Sequence, residues 1–322
     1  MAPFSIVDAF HAALKEDDEL PAPIAAIFAL SEMISRSKAE TTSELMQSIK
    51  QASDMLKASL ENPIPASAGL ELYMRFVTRK NWAGGTFETH KQNLVSTALE
   101  FAHNTVPNCR LRITELLLPF IKNETVILTH GYSRVVMQVL VAAKALGRRI
   151  CVYVTESRPS CRGLLTYQRL MEAGIPCTVV LDTAVAYIIH KVDMILTGAE
   201  GVVESGGLFN AVGTSQLGIV AKAANKMFFA VAESYKFLRL FPLSQYDIPI
   251  PGPMLPFPSS TEVDQGILQQ GDKEMHMTLA MEALNPSIDY TQPELVTFIV
   301  SDIGILTPSG VSDALLAVYG GD

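Results

Sequence analysis

Four short polar clusters between residues 129 and 214 of this 322-residue chain carry residue types that bind anions or move protons. They are Thr129-His130-Gly131-Tyr132-Ser133-Arg134, Thr155-Glu156-Ser157-Arg158-Pro159, Thr197-Gly198-Ala199-Glu200-Gly201 and Asn210-Ala211-Val212-Gly213-Thr214. The Arg158 guanidinium offers paired donors to a phosphate or carboxylate. Gly213 permits close backbone approach, Thr214 is suited to cap a helix, and that helix's first turn supplies free N–H groups with partial positive charge. His130 is a candidate acid or base and Glu200 supplies a carboxylate. Together His130, Ser133, Arg158, Glu200, Asn210, Gly213 and Thr214 form a candidate pocket for a phosphate-like anion. Each also has a plainer role. Gly-Thr before a helix is most often only a cap, His130 in a strand-end turn a hydrogen-bonding group, Arg158 a surface-loop residue, and Glu200 a solvated acid. Four polar loops converging on one rim weigh more than any one of them.

That convergence requires a sheet with its strand ends on one side. Apolar, β-branched runs supply the strands: Thr125 to His130, Ile150 to Glu156, Cys177 to Asp182, Asp193 to Gly198, Met227 to Glu233 and Leu295 to Asp302. Helix-like segments near 133–147, 160–173, 183–191 and 214–225 separate them. Continuously apolar strands alternating with helices predict a mostly parallel sheet covered on both faces, and right-handed crossovers bring the strand ends to one rim. Ligands of such sheets sit outside the carboxyl ends of the strands.

Before Lys122 the apolar period is helical. Ile24, Ile27, Phe28, Leu30 and Ile34 form one stripe, Leu45, Ile49, Leu56 and Leu60 a second, and Leu94, Val95, Ala98, Leu99, Phe101 and Ala102 a third. A fourth, Leu111 to Ile121, is apolar nearly all round and is expected to lie against the next domain. Breakers at Pro21 and Pro23, Asn62 to Pro65, Trp82 to Gly85 and Pro107 divide these pieces. The expected fold class is α/β: a helical N-terminal domain over 1–122 and a Rossmann-like, mostly parallel sheet domain over 123–322. From Pro242 to about Ser260 the Pro-rich chain reads as a long surface loop. The tail from Ser301 to Tyr319 reads equally as an interface or as a last strand and helix packed on the sheet.

Composition narrows the function. The chain is 48% hydrophobic and 18% charged with net charge −8, and its pI of 5.3 argues against broad binding of nucleic acid, which needs a basic face. Mean hydropathy is +0.24, yet charges interrupt every apolar run before the roughly 20 residues of a membrane span. The acidic N-terminal stretch does not read as a secretory leader, so a cytosolic protein without membrane contact is expected. The four cysteines, Cys109, Cys151, Cys161 and Cys177, lack metal-site spacing. Cys151 and Cys177 are expected as buried free thiols, and no metal or cofactor is required.

Several segments resemble the eukaryotic translation initiation factor 2B family, in its alpha-subunit branch. They are THGYSRVV (from Thr129), VYVTESRP (from Val152), TVVLDTAVAYII (from Thr178), GAEGVVESGGLFNAVGTSQLG (from Gly198), VAESYKFLRLFPLSQYDIP (from Val231) and DYTQPELVTFIVSDIGILTPSGVSD (from Asp289). The family is the exchange factor that recharges initiation factor 2 with GTP, and it is similar to the isomerases of ribose 1,5-bisphosphate and methylthioribose 1-phosphate. The resemblance implies a non-catalytic regulatory subunit that homodimerises, joins the beta, delta and other subunits, and helps sense the phosphorylated alpha subunit of factor 2. It also implies that an isomerase would carry its catalytic cysteine at Gly131 and its aspartate at Glu200, and that the pocket is retained to bind a sugar phosphate or nucleoside monophosphate without turnover. Gly131 cannot exchange a proton, and Glu200 holds its carboxylate one methylene further out; a shift of about 1 Å in a catalytic group can cost on the order of a hundredfold. Cys161 is the one cysteine placed to reach the rim if the chain were an active isomerase instead.

Overall fold

A computed structural model describes residues 4–17, 20–79, 86–247 and 284–320, with the backbone alone for 317–320. The breaker at 82–85 and most of the Pro-rich stretch, from 248 onward, lie outside the described residues.

The helices α1 (Ile6–Glu16), α2 (Ala22–Arg36), α3 (Thr42–Ser59), α4 (Ile64–Arg79) and α5 (Phe87–Glu100) build the N-terminal region. Ser5, Thr41 and Thr86 cap α1, α3 and α5 by accepting from the amides of Asp8, Glu44 and Thr89. The stripes Ile24, Ile27, Leu30, Ile34 and Leu45, Ile49, Leu56 are buried in one shared core. The expected breaker at 62–65 instead starts a helix. Asn62 Oδ1 accepts from Ile64 N at 3.1 Å, and Pro65 falls in the first turn, where its missing N–H is not needed. A π-helical turn, Phe101–Thr105, joins α5 to α6 (Val106–Leu117). Leu111 on α6 is 52% exposed, so this helix is one-sided rather than apolar all round. Its buried Ile113 and Leu117 join the core of the sheet that follows.

The strands are β1 (Val126–His130), β2 (Cys151–Thr155), β3 (Cys177–Val180), β4 (Met194–Gly198), β5 (Gly201–Val203), β6 (Leu208–Ala211), β7 (Met227–Val231), β8 (Phe237–Leu238), β9 (Ile288–Thr291), β10 (Phe298–Ser301) and β11 (Gly304–Leu306). Between them run α7 (Arg134–Ala145), α8 (Arg162–Glu172), α9 (Val185–Ile188) and α10 (Thr214–Ala223), and α11 (Val311–Gly320) follows the last. Seven strands form one sheet in the order β11-β10-β7-β4-β1-β2-β3. All its pairings are parallel except β10 with β11. Along β4, Met194 and Leu196 belong to one core and Ile195 to another, so both faces are covered. The expected helix at 183–191 is reduced to the single turn α9 between two 3-10 turns. The tail resolves into β11 and α11, whose Val311 and Leu315 pack into the sheet core. Cys109 is buried, while Cys151 and Cys177 are only half-buried; all four thiols are free.

A second sheet, absent from the expectation, has the order β8-β5-β6-β9. Its hairpin β5–β6 is antiparallel, with β8 parallel to β5 and β9 antiparallel to β6. The turn leading into β8 is a junction. Tyr235 inserts into the core of the N-terminal helices, Phe237 into that of the large sheet, and Leu238 into that under the small sheet.

Candidate functional site

The chain runs outward from β1 to β2 and β3, and in the opposite sense from β4 to β7. The crevice between the β1 and β4 ends is therefore the switch point at which such sheets receive ligands. The loops on either side touch. A Cβ on Gly198 would lie 2.6 Å from Ser133 Oγ, and Ser133 itself caps α7 by accepting from Val136 N.

His130, at the end of β1, is buried and bonded on both ring nitrogens. Nδ1 lies 2.6 Å from Thr155 Oγ1 and Nε2 lies 2.9 Å from the Val212 carbonyl. A carbonyl only accepts, so Nε2 carries the proton and Nδ1 accepts from the threonine. Ser157 Oγ is 3.4 Å from Nε2 and Asp182 Oδ1 is 3.9 Å from Nδ1, superficially a serine–histidine–aspartate set. The wiring defeats it: Nε2 is a donor already engaged, and Asp182 accepts from the amides of Ser157 and Arg158 at 2.8 Å each. Burial lowers the His130 pKa, with Asp182 and the neighbouring backbone pulling weakly the other way. The folded protein thus excludes a proton that the unfolded chain binds below about pH 6.5. This contribution to stability is complete above that pH and is lost as pH falls through it. Denaturant midpoints measured from pH 8 to 5.5 are expected to drop more steeply in the wild type than in His130→Asn; parallel curves would refute it.

Gly213 packs on this histidine. Its φ is +107°, and a Cβ there would sit 2.8 Å from His130 Cε1, so neither backbone nor space admits a side chain. Thr214 is fully buried; its hydroxyl donates to Ala211 O at 2.7 Å and accepts from Asn210 Nδ2 at 3.0 Å. The N-terminus of α10 was expected to offer free amides to an anion. Instead, Gly213 N and Ser215 N both donate to Asp289 Oδ2, at 2.8 and 2.9 Å. Burial pushes the Asp289 carboxyl up to about 7, against the opposing pull of those two amides.

The remaining predicted residues divide between two places. Arg158 is largely exposed, its guanidinium 3.2 Å from Cys161 Sγ and 4.0 Å from Glu156 Oε1. With Pro159, Val212, Leu284, Asn285 and Pro286 it lines a cavity of 220 Å³. Glu200 accepts from Asn62 Nδ2 at 2.6 Å. Burial raises its pKa, while Asn62, Lys236 and Arg162 lower it less. Arg162 lies over the Tyr132 ring at 5.6 Å. Lys236 Nζ donates to Ala199 O at 3.2 Å and pairs with Glu233 at 2.8 Å. Glu233, almost wholly buried, also receives Arg110 Nε at 3.2 Å and the Tyr235 hydroxyl at 2.8 Å. Burial alone would raise the Glu233 carboxyl; Lys236 and Arg110 outweigh it and hold it at about 2. Asn62, Arg162, Lys236 and Asp289 were not anticipated as site residues. Lys236 and Asp289 lay in segments that carry the family resemblance, those beginning at Val231 and Asp289, whereas Asn62 and Arg162 had been read only as part of a breaker and of a helix. Among the described residues no group of His, Cys, Asp and Glu could hold a metal ion, and no helix is long and apolar enough to cross a membrane.

A helical N-terminal region leads into a doubly wound sheet with a polar crevice at its switch point. The chain belongs to the Initiation factor 2 subunit family, whose model matches residues 15–308. It is 36% identical to translation initiation factor eIF2B subunit alpha of Dictyostelium discoideum, over 98% of this chain and 96% of that one. It is also 31% identical to the ribose 1,5-bisphosphate isomerase of Archaeoglobus fulgidus, over 85% of this chain and 84% of that one. The fold is shared with a chain of the tetrameric eIF2B-beta2-delta2 complex from C. thermophilum. There the TM-score is 0.71 at 18% identity, covering 98% of this chain and 95% of that one.

Proposed function

We propose that this protein is a non-catalytic regulatory subunit, of the alpha type, in the guanine-nucleotide exchange factor for translation initiation factor 2. Its near full-length similarity to an eIF2B alpha subunit supports the role. In this reading it homodimerises through its α/β half, joins the beta, delta and other subunits in the cytosol, and helps the complex sense the phosphorylated alpha subunit of factor 2. The switch-point crevice is an inherited sugar-phosphate pocket that binds such a molecule, or a nucleoside monophosphate, without converting it.

The observation that carries this reading is Gly131. Its φ of +63° is a left-handed conformation that disfavours any side chain, and a Cβ there would approach Ser157 Oγ to 3.2 Å. The loop is shaped for glycine where an isomerase of this kind needs a thiol. The alternative, an active sugar-phosphate isomerase, draws on the similarity to the ribose 1,5-bisphosphate enzyme. It would have to recruit Cys161, whose thiol already contacts the guanidinium of Arg158 and points towards Glu156 at 3.8 Å.

Two assays on the full chain separate the readings. Mixed with beta and delta subunits, the protein is expected to co-elute as one assembly, and it is expected to form no ketose from ribose 1,5-bisphosphate. Failure to co-elute removes the subunit role. Turnover that disappears in Glu200→Ala removes the non-catalytic one.

A further inference from the structure

The first turn of α10 is built as an anion site. Gly213, its N-cap, contributes no side-chain cap, so the amides of the first turn need acceptors from elsewhere. Such a cluster of N–H groups at the positive end of a ten-residue helix is where a phosphate would ordinarily settle. A residue 76 positions downstream takes that place. Asp289 lies on β9, paired in register with Asn210 on β6, and brings Oδ2 within 2.8 Å of Gly213 N and 2.9 Å of Ser215 N.

The second oxygen is informative. Asp289 is 8% exposed, and its Oδ1 is buried without a hydrogen-bond partner among the described residues. An asparagine would make the same two bonds with no desolvated charge, but would leave a buried NH2 without an acceptor. A buried carboxyl with one oxygen on both amides takes the place that an external anion would occupy. Strand pairing on β9 fixes the backbone that carries it, and the two amide bonds hold the buried side chain in place.

We infer that the Asp289 carboxyl stands in for an anion, fills the amide pair of α10 and closes this helix to external phosphate groups. A phosphate entering the rim finds both amides already occupied and must be held by other groups. This holds whether or not the crevice takes a ligand.

The test uses thermal unfolding of the full chain in formate, inorganic phosphate or chloride at matched ionic strength. Asp289→Ala is expected to unfold lower than wild type by on the order of 5 °C, as two buried hydrogen bonds to the helix start are lost. Formate, the carboxylate without its side chain, is expected to restore part of that loss saturably, while chloride does not and wild type gains nothing from either. Equal responses of the variant to formate and chloride would overturn the inference. A second measurement does not depend on the variant folding. In labelled wild-type protein the amide resonances of Gly213 and Ser215 are expected to stay fixed as inorganic phosphate is added, and a saturable shift of both overturns the proposal.

Discussion

Replacing Glu233 with alanine is expected to cost about 3–5 kcal/mol, the loss typical of breaking a buried ion pair from one side. The reason is what stays behind. Arg110, 14% exposed in its side chain, and Lys236, at 17%, would lose their shared counter-charge, and the Tyr235 hydroxyl would lose its acceptor. The same network predicts a pH dependence. The carboxyl is held at about 2 in the folded protein against 4.5 ordinarily. Its contribution is therefore fully present above about pH 4.5 and is lost as pH falls towards 2. Urea unfolding of wild type and Glu233→Ala at pH 7 measures the cost, and a repeat at low pH should bring the two curves together. A loss under about 1 kcal/mol at pH 7 would mean that the pair is no stronger than a surface one.

Gly163→Ala is the second large effect, and it acts through the backbone. Gly163 opens α8 directly against the end of β2, where a Cβ would stand 1.9 Å from Thr155 O and 2.9 Å from Glu156 O. Neither neighbour is a flexible side-chain end, so the helix has to move away from the strand. It would carry Arg162 from its position over Tyr132 and loosen Thr166, whose hydroxyl donates to Gly131 O at 2.6 Å. Overpacking of this kind costs typically 1–3 kcal/mol, and contact with main-chain oxygens places this case near about 3 kcal/mol. Calorimetry of the variant gives the value. A melting temperature equal to that of the wild type would show that the helix start has slack that the structure does not contain.

Six strands of the large sheet were legible in the sequence because its inner strands, β1, β4, β7 and β10, are almost wholly buried and so read as largely apolar runs, whereas the short, half-exposed edge strand β11 carries no such signal. The small sheet was not. β8 is two residues long and β5 three, too short for any alternation to register, and β9 pairs with a strand that ends 77 residues before it begins. That gap also hid the role of Asp289. The sequence shows Gly213 and Thr214 starting a helix, but not what fills the amides of its first turn. His130 illustrates a different limit. Its residue type offers an acid or base, and only the positions of Thr155 and Val212 reveal that both nitrogens are already used. Gly131 was readable from both directions: the missing side chain marks the departure from the isomerases, and the backbone angle supplies a physical reason why none fits.

The junction at Tyr235, Phe237 and Leu238 bears on how the molecule holds together. Three side chains within four residues anchor three separate cores, so this short stretch acts as a common keystone. Loosening the N-terminal helices withdraws Tyr235 and pulls on a backbone that also seats the large sheet and the small one. Substitutions placed in different cores, which would ordinarily add, are therefore expected to couple through this turn, and a double-mutant cycle between two cores measures it.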